Sequence, residues 1–371
     1  MRWFALGHSP ASSPSPGFPP RARAVFWPRK NSRKLIFAST YVVFLGALLW
    51  FAQKAYWRLA AGVPFDRSAT VWDHYFPQIR LSGLTERQSN RYDRQFDLLL
   101  LGGSVLEPAW GDIAERLTQR LEAKLPGRVR VYNLAVAGFT SRDSLLQYRH
   151  LEHQRFDLVV VYDGLNDVRL NCCPPELFRD DYTHNARYSG LARRLEAGQI
   201  SLPAAALSNL QTAWEGMPLG SADPRLANLA TDPGSPRALR ANLSELSDLA
   251  RARGDRLLLM SYAWHIPADY TADRFAGGQL DYHTPAPRAC GVEMWGRPEL
   301  VALAMRRQNA AVAELVAGLP DVLWVDQDAQ LPHDREHFID PCHLTPQGCE
   351  RFVQNLWPVV EPVVDQFARL P

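Results

Sequence analysis

A serine behind two glycines, and an aspartate three residues before a histidine, are the positions most able to do chemistry in these 371 residues. The serine is Ser104, in Gly102-Gly103-Ser104-Val105. Two glycines permit a tight turn, and such a turn would hold the hydroxyl at the edge of a sheet, where a nucleophile must stand. The same glycines would suit a phosphate cradle, although neither G-x-G-x-x-G nor G-x-x-x-x-G-K-S/T is present. Asp340 and His343 lie in FIDPCHLTPQG. A turn between them brings the carboxylate onto the imidazole, fixing its tautomer and stabilising the imidazolium; a lone histidine there would be structural. Thr345 and Pro346 read as the N-cap and first residue of a helix that anchors this loop. Two further segments offer donors to a developing oxyanion. NLAVAGFTS contains Gly138, whose N–H is one candidate; its other reading is a turn with Ser141 capping the next helix. Gly164-Leu165-Asn166-Asp167 contains the Asn166 amide, again in a stretch of turn-forming residues.

These segments follow apolar runs that must position them. FDLLLLG (96–102) is continuous, as in a strand buried on both faces. RVRVYNL (128–134), FDLVVVY (156–162), DRLLLMSY (255–262) and Val322 to Val325 are the other strand candidates. Helical spacing recurs between them, over 111–125, 141–152, 236–253, 298–318 and from Leu344 to the end. Strands alternating with helices predict an α/β fold, a doubly wound five-stranded parallel sheet. Ligands bind such sheets outside the carboxyl ends of the strands, where all four segments fall.

Taken in order, the four segments resemble the Ser, Gly, Asn and His blocks of the SGNH, or GDSL-type, hydrolase superfamily. The resemblance runs from about Phe96 to about Leu370, with an insertion at about 172–233. One position departs: the family's Asp before the serine is Gly103 here. The resemblance implies a flavodoxin-like fold and assigns Ser104 as nucleophile, His343 as general base and then acid, and Asp340 as its orienting group. It assigns the oxyanion hole to the N–H groups of Ser104 and Gly138 and to Asn166 Nδ2. It implies no cofactor and no metal, and a substrate that is an acyl ester of a glycan or lipid.

Other features bear on place and partners. Residues 1–34 hold seven Lys/Arg and no acid, with a Pro/Ser/Gly-rich stretch, and read as a disordered cytoplasmic tail. Leu35 to Ala52 is eighteen residues without a charge, about 27 Å as a helix and close to the hydrocarbon thickness of a bilayer. Arg29, Lys30, Arg33 and Lys34 precede it, so the positive-inside rule orients the N-terminus to the cytoplasm. The expectation is a single-pass inner-membrane anchor over 35–53, a stalk or entry segment over 54–95, and a periplasmic or extracytoplasmic hydrolase domain over 96–371. The competing readings are a cleaved signal peptide, although its apolar core is ordinarily shorter, and a buried helix of a soluble domain. Balanced charge, 41 Lys+Arg against 39 Asp+Glu, removes the footprint of a nucleic-acid binder. Cys172, Cys173, Cys290 and Cys342 lie in loops that converge on one sheet edge, and in an oxidising compartment Cys342 or Cys290 would pair with Cys172 or Cys173. Cys349 reads as a core thiol, and Trp264 and Trp295 as site-lining or packing residues. The expected activity is an esterase or deacylase acting on envelope glycans or lipids. The alternatives are an O-acyltransferase working with envelope polysaccharide machinery, and a silent glycan-binding module.

Overall fold

The computed structural model describes residues 30–85, 94–215, 233–286 and 288–369. The chain forms two compact units, residues 1–52 and 53–371. A helix, Lys30–Ala61, starts in the first; its part Arg33–Ala61 is long and apolar enough to cross a membrane, and would equally suit a signal sequence. Ile36, Phe37, Val43 and Phe44 on it are exposed. The basic tail is outside the described residues up to residue 29.

In the second unit five strands, β1 (Phe96–Gly102), β2 (Val129–Asn133), β3 (Leu158–Tyr162), β4 (Leu257–Met260) and β5 (Val322–Val325), form one sheet in the order β2-β1-β3-β4-β5. Every pairing is parallel. This is the doubly wound, flavodoxin-like order, whose direction reverses between β1 and β3. Successive strand residues point to opposite faces, so β1 must feed two cores. Leu98 and Leu100 pack with Leu117 and Leu121 of helix Ile113–Lys124 and with Phe352 and Val360 of helix Pro346–Ala368. Leu99 and Leu101 pack with Leu145 of helix Ser141–His150 and Leu243 of helix Ser235–Arg253. A fully buried Leu contributes about 1.5–3 kcal/mol. The run of four in β1 therefore fixes the strand, and with it the point where Ser104 emerges.

Two segments gain structure that their sequence pattern does not mark. Of the two readings of residues 54–85, the packing favours an entry segment over a free stalk: Trp57, Val71, Phe76, Ile79 and Leu84 are buried in the same core cluster as Leu99. Two short helices, Val71–Tyr75 and Pro77–Leu81, carry part of this surface, the first closed by a capping box of Thr70 and Asp73. The insertion contains helices Ala186–Leu195 and Leu202–Glu215; Gln199 bridges antiparallel to Thr70, and Ile200 N–H donates to Ala69 O at 3.1 Å. Residues 216–232 of the insertion are outside the described residues.

Candidate active site

β1 ends at Gly102, and the chain turns at once into a short 3-10 helix, Ser104–Leu106. Ser104 is 7% exposed. Its Oγ lies 2.8 Å from His343 Nε2. His343 is buried, and its Nδ1 lies 2.7 Å from Asp340 Oδ2. The loop bearing both residues is pinned at its far end. Thr345 Oγ1 accepts from Gly348 N–H at 2.9 Å as the N-cap of helix Pro346–Ala368, with Pro346 in its first turn.

Asp340 is fully enclosed yet satisfied on both oxygens. Oδ1 accepts the N–H groups of Cys342 (2.9 Å) and His343 (2.8 Å); Oδ2 accepts Cys290 N–H (2.8 Å) and faces His343 Nδ1. Burial disfavours the charge, but His343 and the backbone donors outweigh it and hold the carboxyl below its ordinary range. An ionised Asp340 keeps the imidazole proton on Nδ1 and leaves the Nε2 lone pair facing the serine, the arrangement in which a hydroxyl can be deprotonated.

The other two segments close around the serine. Val136 to Phe139 is a four-residue turn, Phe139 N–H donating to Val136 O at 3.0 Å, with Gly138 at φ 83°, a conformation only glycine adopts without strain. Asn166 is in the short helix Leu165–Val168 after β3. Its Nδ2 donates to Phe139 O at 2.9 Å and its Oδ1 accepts from Trp295 Nε1 at 3.3 Å, so the amide is held from both ends. A Cβ on Gly103 would stand 2.8 Å from Asn166 Nδ2 and 3.4 Å from Phe139 O. The departure at Gly103 thus leaves room for the amide. Gly103→Ala is expected to push Asn166 aside and to lower kcat for ester hydrolysis about 10²–10³-fold, the usual loss for one oxyanion donor. Steady-state kinetics at unchanged melting temperature would check this; an unaltered kcat would mean the amide is not a donor.

Behind Asn166 a buried polar network fixes the turn. Asp167 accepts Ser141 Oγ (2.5 Å), Ser141 N–H (3.1 Å) and Tyr182 O–H (2.6 Å). Burial pushes its carboxyl up to about 6 against those bonds. Ser141 therefore serves this network and is not the helix N-cap; Thr140 is, in a capping box with Asp143. Asp143 also binds Tyr188 O–H at 2.6 Å and Arg187 at 3.1 Å, so the insertion is tied to the base of the Gly138 turn.

Trp110 carries no motif signal, yet its ring stacks on His343 with centroids 4.0 Å apart and planes at 14°. A ring there excludes water from the imidazole and attracts the imidazolium. Trp110 also lines a cleft of about 340 Å³ with Pro108, Leu344 and Pro346. Trp264 packs against the core that contains Trp295.

The expected disulfide is not formed. All five cysteines are free. Cys172 Sγ lies on Trp295 O (3.4 Å) and Cys173 Sγ on Leu170 O (3.5 Å). Cys342 Sγ contacts His343 Nδ1 at 3.5 Å and Cys290 Sγ lies near Arg288 O at 3.6 Å, and neither pairs with Cys172 or Cys173. Cys349 is a core thiol, 1% exposed. Burial pushes the Cys290 thiol up to about 11 and that of Cys342 upward too, which leaves both protonated and poor as nucleophiles.

No curated protein matches the chain. Among solved structures it is similar to TesA (18% identity over 72% of this chain and 99% of that one, TM-score 0.37). It is similar as well to a GDSL-like lipase of Bacteroides thetaiotaomicron (12%, 79% and 98%, 0.40) and to a catalytic mutant of an acetylxylan esterase from Geobacillus stearothermophilus (12%, 71% and 94%, 0.39). The sequence model of the GDSL-like Lipase/Acylhydrolase family matches residues 100–351, a span that begins inside β1 and runs past His343. That match takes in well over half of the chain and all four strand-end segments, and the chain belongs to the GDSL-like lipase/acylhydrolase family of SGNH serine hydrolases.

Proposed function

We propose that this chain is an esterase that removes acyl groups from glycans or lipids of the cell envelope, anchored by its N-terminal helix with residues 53–371 outside the cytoplasm. The observation that carries the chemistry is the relay of 2.8 Å from Ser104 Oγ to His343 Nε2 and 2.7 Å from His343 Nδ1 to Asp340. In this reading His343 takes the Ser104 proton as Oγ attacks the ester carbonyl. The Ser104 and Gly138 N–H groups and Asn166 Nδ2 hold the oxyanion. The imidazolium returns its proton to the leaving alkoxide, which departs as an alcohol and leaves an acyl-Ser104. Water, deprotonated by His343, then releases the acid and restores the serine. The charge asymmetry around Leu35 to Ala52 supports the orientation.

The test uses the full chain in detergent with a fluorophosphonate probe and short-chain aryl esters. One adduct is expected on the wild type and none on Ser104→Ala. Protease added outside sealed cells lacking an outer membrane should remove the hydrolase domain and spare the N-terminus. Equal labelling of the Ser104→Ala protein would overturn the nucleophile, and full protection of the hydrolase domain would overturn the topology.

A further inference from the structure

The esterase chemistry leaves unused two thiols that lie close to Asp340 and His343. Cys290 Sγ, a carboxylate oxygen of Asp340 and a ring nitrogen of His343 lie within 4.8 Å of one another. Cys342 Sγ is 3.5 Å from His343 Nδ1. Two sulfurs, an imidazole nitrogen and a carboxylate are the donor set that thiophilic divalent cations select. Tetrahedral zinc, with Zn–S about 2.3 Å and Zn–N about 2.0–2.1 Å, holds its sulfur and nitrogen ligands about 3.5 Å apart. The Cys342–His343 pair already has that spacing. Cys290 is only partly buried, which gives an ion a way in from solvent. The Nδ1–Oδ2 separation of 2.7 Å must widen by about half an ångström for both atoms to share a zinc ion.

We propose that Cys290, Cys342, Asp340 and His343 Nδ1 form an inhibitory site for Zn²⁺ or a similarly thiophilic divalent cation. Binding releases the two thiol protons to solvent, and the thiolates and the Nδ1 lone pair become ligands. The ring proton moves from Nδ1 to Nε2. Nε2–H then donates to Ser104 Oγ and cannot accept its proton, so turnover stops with the nucleophile still in place. The inhibition rests on the esterase reading above; the binding does not.

The experiment uses the full chain in detergent, stripped with a chelator. Zn²⁺ is titrated against a chromophoric competitor, and Co²⁺ is used as a spectroscopic probe. One metal per chain is expected, with thiolate-to-cobalt charge-transfer absorption and tetrahedral d–d bands. Aryl-ester hydrolysis should fall as zinc binds and recover with chelator. Cys290→Ala and Cys342→Ala should each weaken binding by at least the roughly 10–100-fold that loss of an outer-shell partner costs. Each variant's rate with zinc is compared with its own rate without it. The wild-type cobalt spectrum decides whether thiolates ligate the ion even if a variant fails to fold. Absent thiolate bands, or zinc inhibition undiminished in both folded variants, would overturn the site. Stoichiometric thiolate bands in an enzyme whose turnover is unaffected would keep the site and overturn the His343 base on which the inhibition rests.

Discussion

Ser104→Ala, His343→Ala and the double variant are expected to fall to one common residual rate of ester hydrolysis, about 10⁴–10⁶-fold below wild type in kcat. The two side chains meet at 2.8 Å and both are nearly enclosed, 7% and 3% exposed. In the proposed mechanism, removing the hydroxyl deletes the nucleophile. Removing the imidazole leaves a hydroxyl that cannot lose its proton near neutral pH, since few waters reach the site to stand in as base. Either loss disables the same step, so the second adds nothing. KM should change little, because neither group holds the distant part of a substrate. Steady-state kinetics on all three variants would check the prediction. A double variant slower than both singles by the product of their effects would mean that the residues act independently. His343→Ala within about tenfold of wild type would remove it as base.

The common floor also measures what the rest of the site contributes. The turn at Gly138 and the clamped Asn166 amide survive both substitutions, so the residual rate should exceed the uncatalysed one by about 10³–10⁴-fold. Gly103→Ala would act on that remainder, because the Cβ disturbs Asn166 and leaves the relay alone.

The sheet was legible because burial on both faces writes itself as an uninterrupted apolar run. Phe96 to Gly102 and Val322 to Val325 begin and end where the sequence places them. The four strand-end segments were legible because each joins a chemically distinctive residue to a turn. What escaped depends on contacts distant in sequence or on competition between neighbours. Trp110 follows Ser104 by six residues with no pattern to mark it; only the folded His343 loop places an imidazole against its ring. Thr140 and Ser141 both offer a capping hydroxyl. Asp143, third in the helix after Thr140, completes a box with Thr140, which frees Ser141 for Asp167. Residues 54–85 mix aromatics with charges at no regular period, so their burial against the Leu99 face was invisible. The expected cysteine pairs do not meet, because Cys172 Sγ turns to Trp295 O while Cys342 Sγ turns to His343 Nδ1, contacts that the sequence does not spell out.

Asp340→Asn is expected to lower kcat about 10⁴-fold with KM nearly unchanged, by reversing the imidazole tautomer, as the equivalent change does in a chymotrypsin-like protease. Asp340 is surrounded by donors: three backbone N–H groups and Nδ1 of His343. An asparagine has one acceptor oxygen and one NH₂, so some donor must meet a donor. With the oxygen toward Cys342 and His343 N–H, the NH₂ opposes one backbone group, Cys290 N–H. It also faces Nδ1, which can adapt by giving up its proton. The reverse orientation opposes two backbone N–H groups that cannot adapt, at about 1–3 kcal/mol for each buried group left unsatisfied. The first orientation therefore wins. It turns Nδ1 into an acceptor and puts the ring proton on Nε2, where it blocks removal of the Ser104 proton. The same substitution carries a pH signature in stability. The folded-state pKa of Asp340 is held below its ordinary value of 3.8, so the carboxylate's contribution is complete above that pH and is lost as pH falls through the folded value. The difference in unfolding free energy between wild type and Asp340→Asn, followed from about pH 8 downward, should shrink below about pH 4. Denaturant melts across that range, with kinetics at neutral pH, would check both halves. A kcat loss under about tenfold in a folded variant would show that Asp340 does not set the tautomer. A stability difference that stays constant to the lowest pH would show that the carboxylate is not held ionised by these donors.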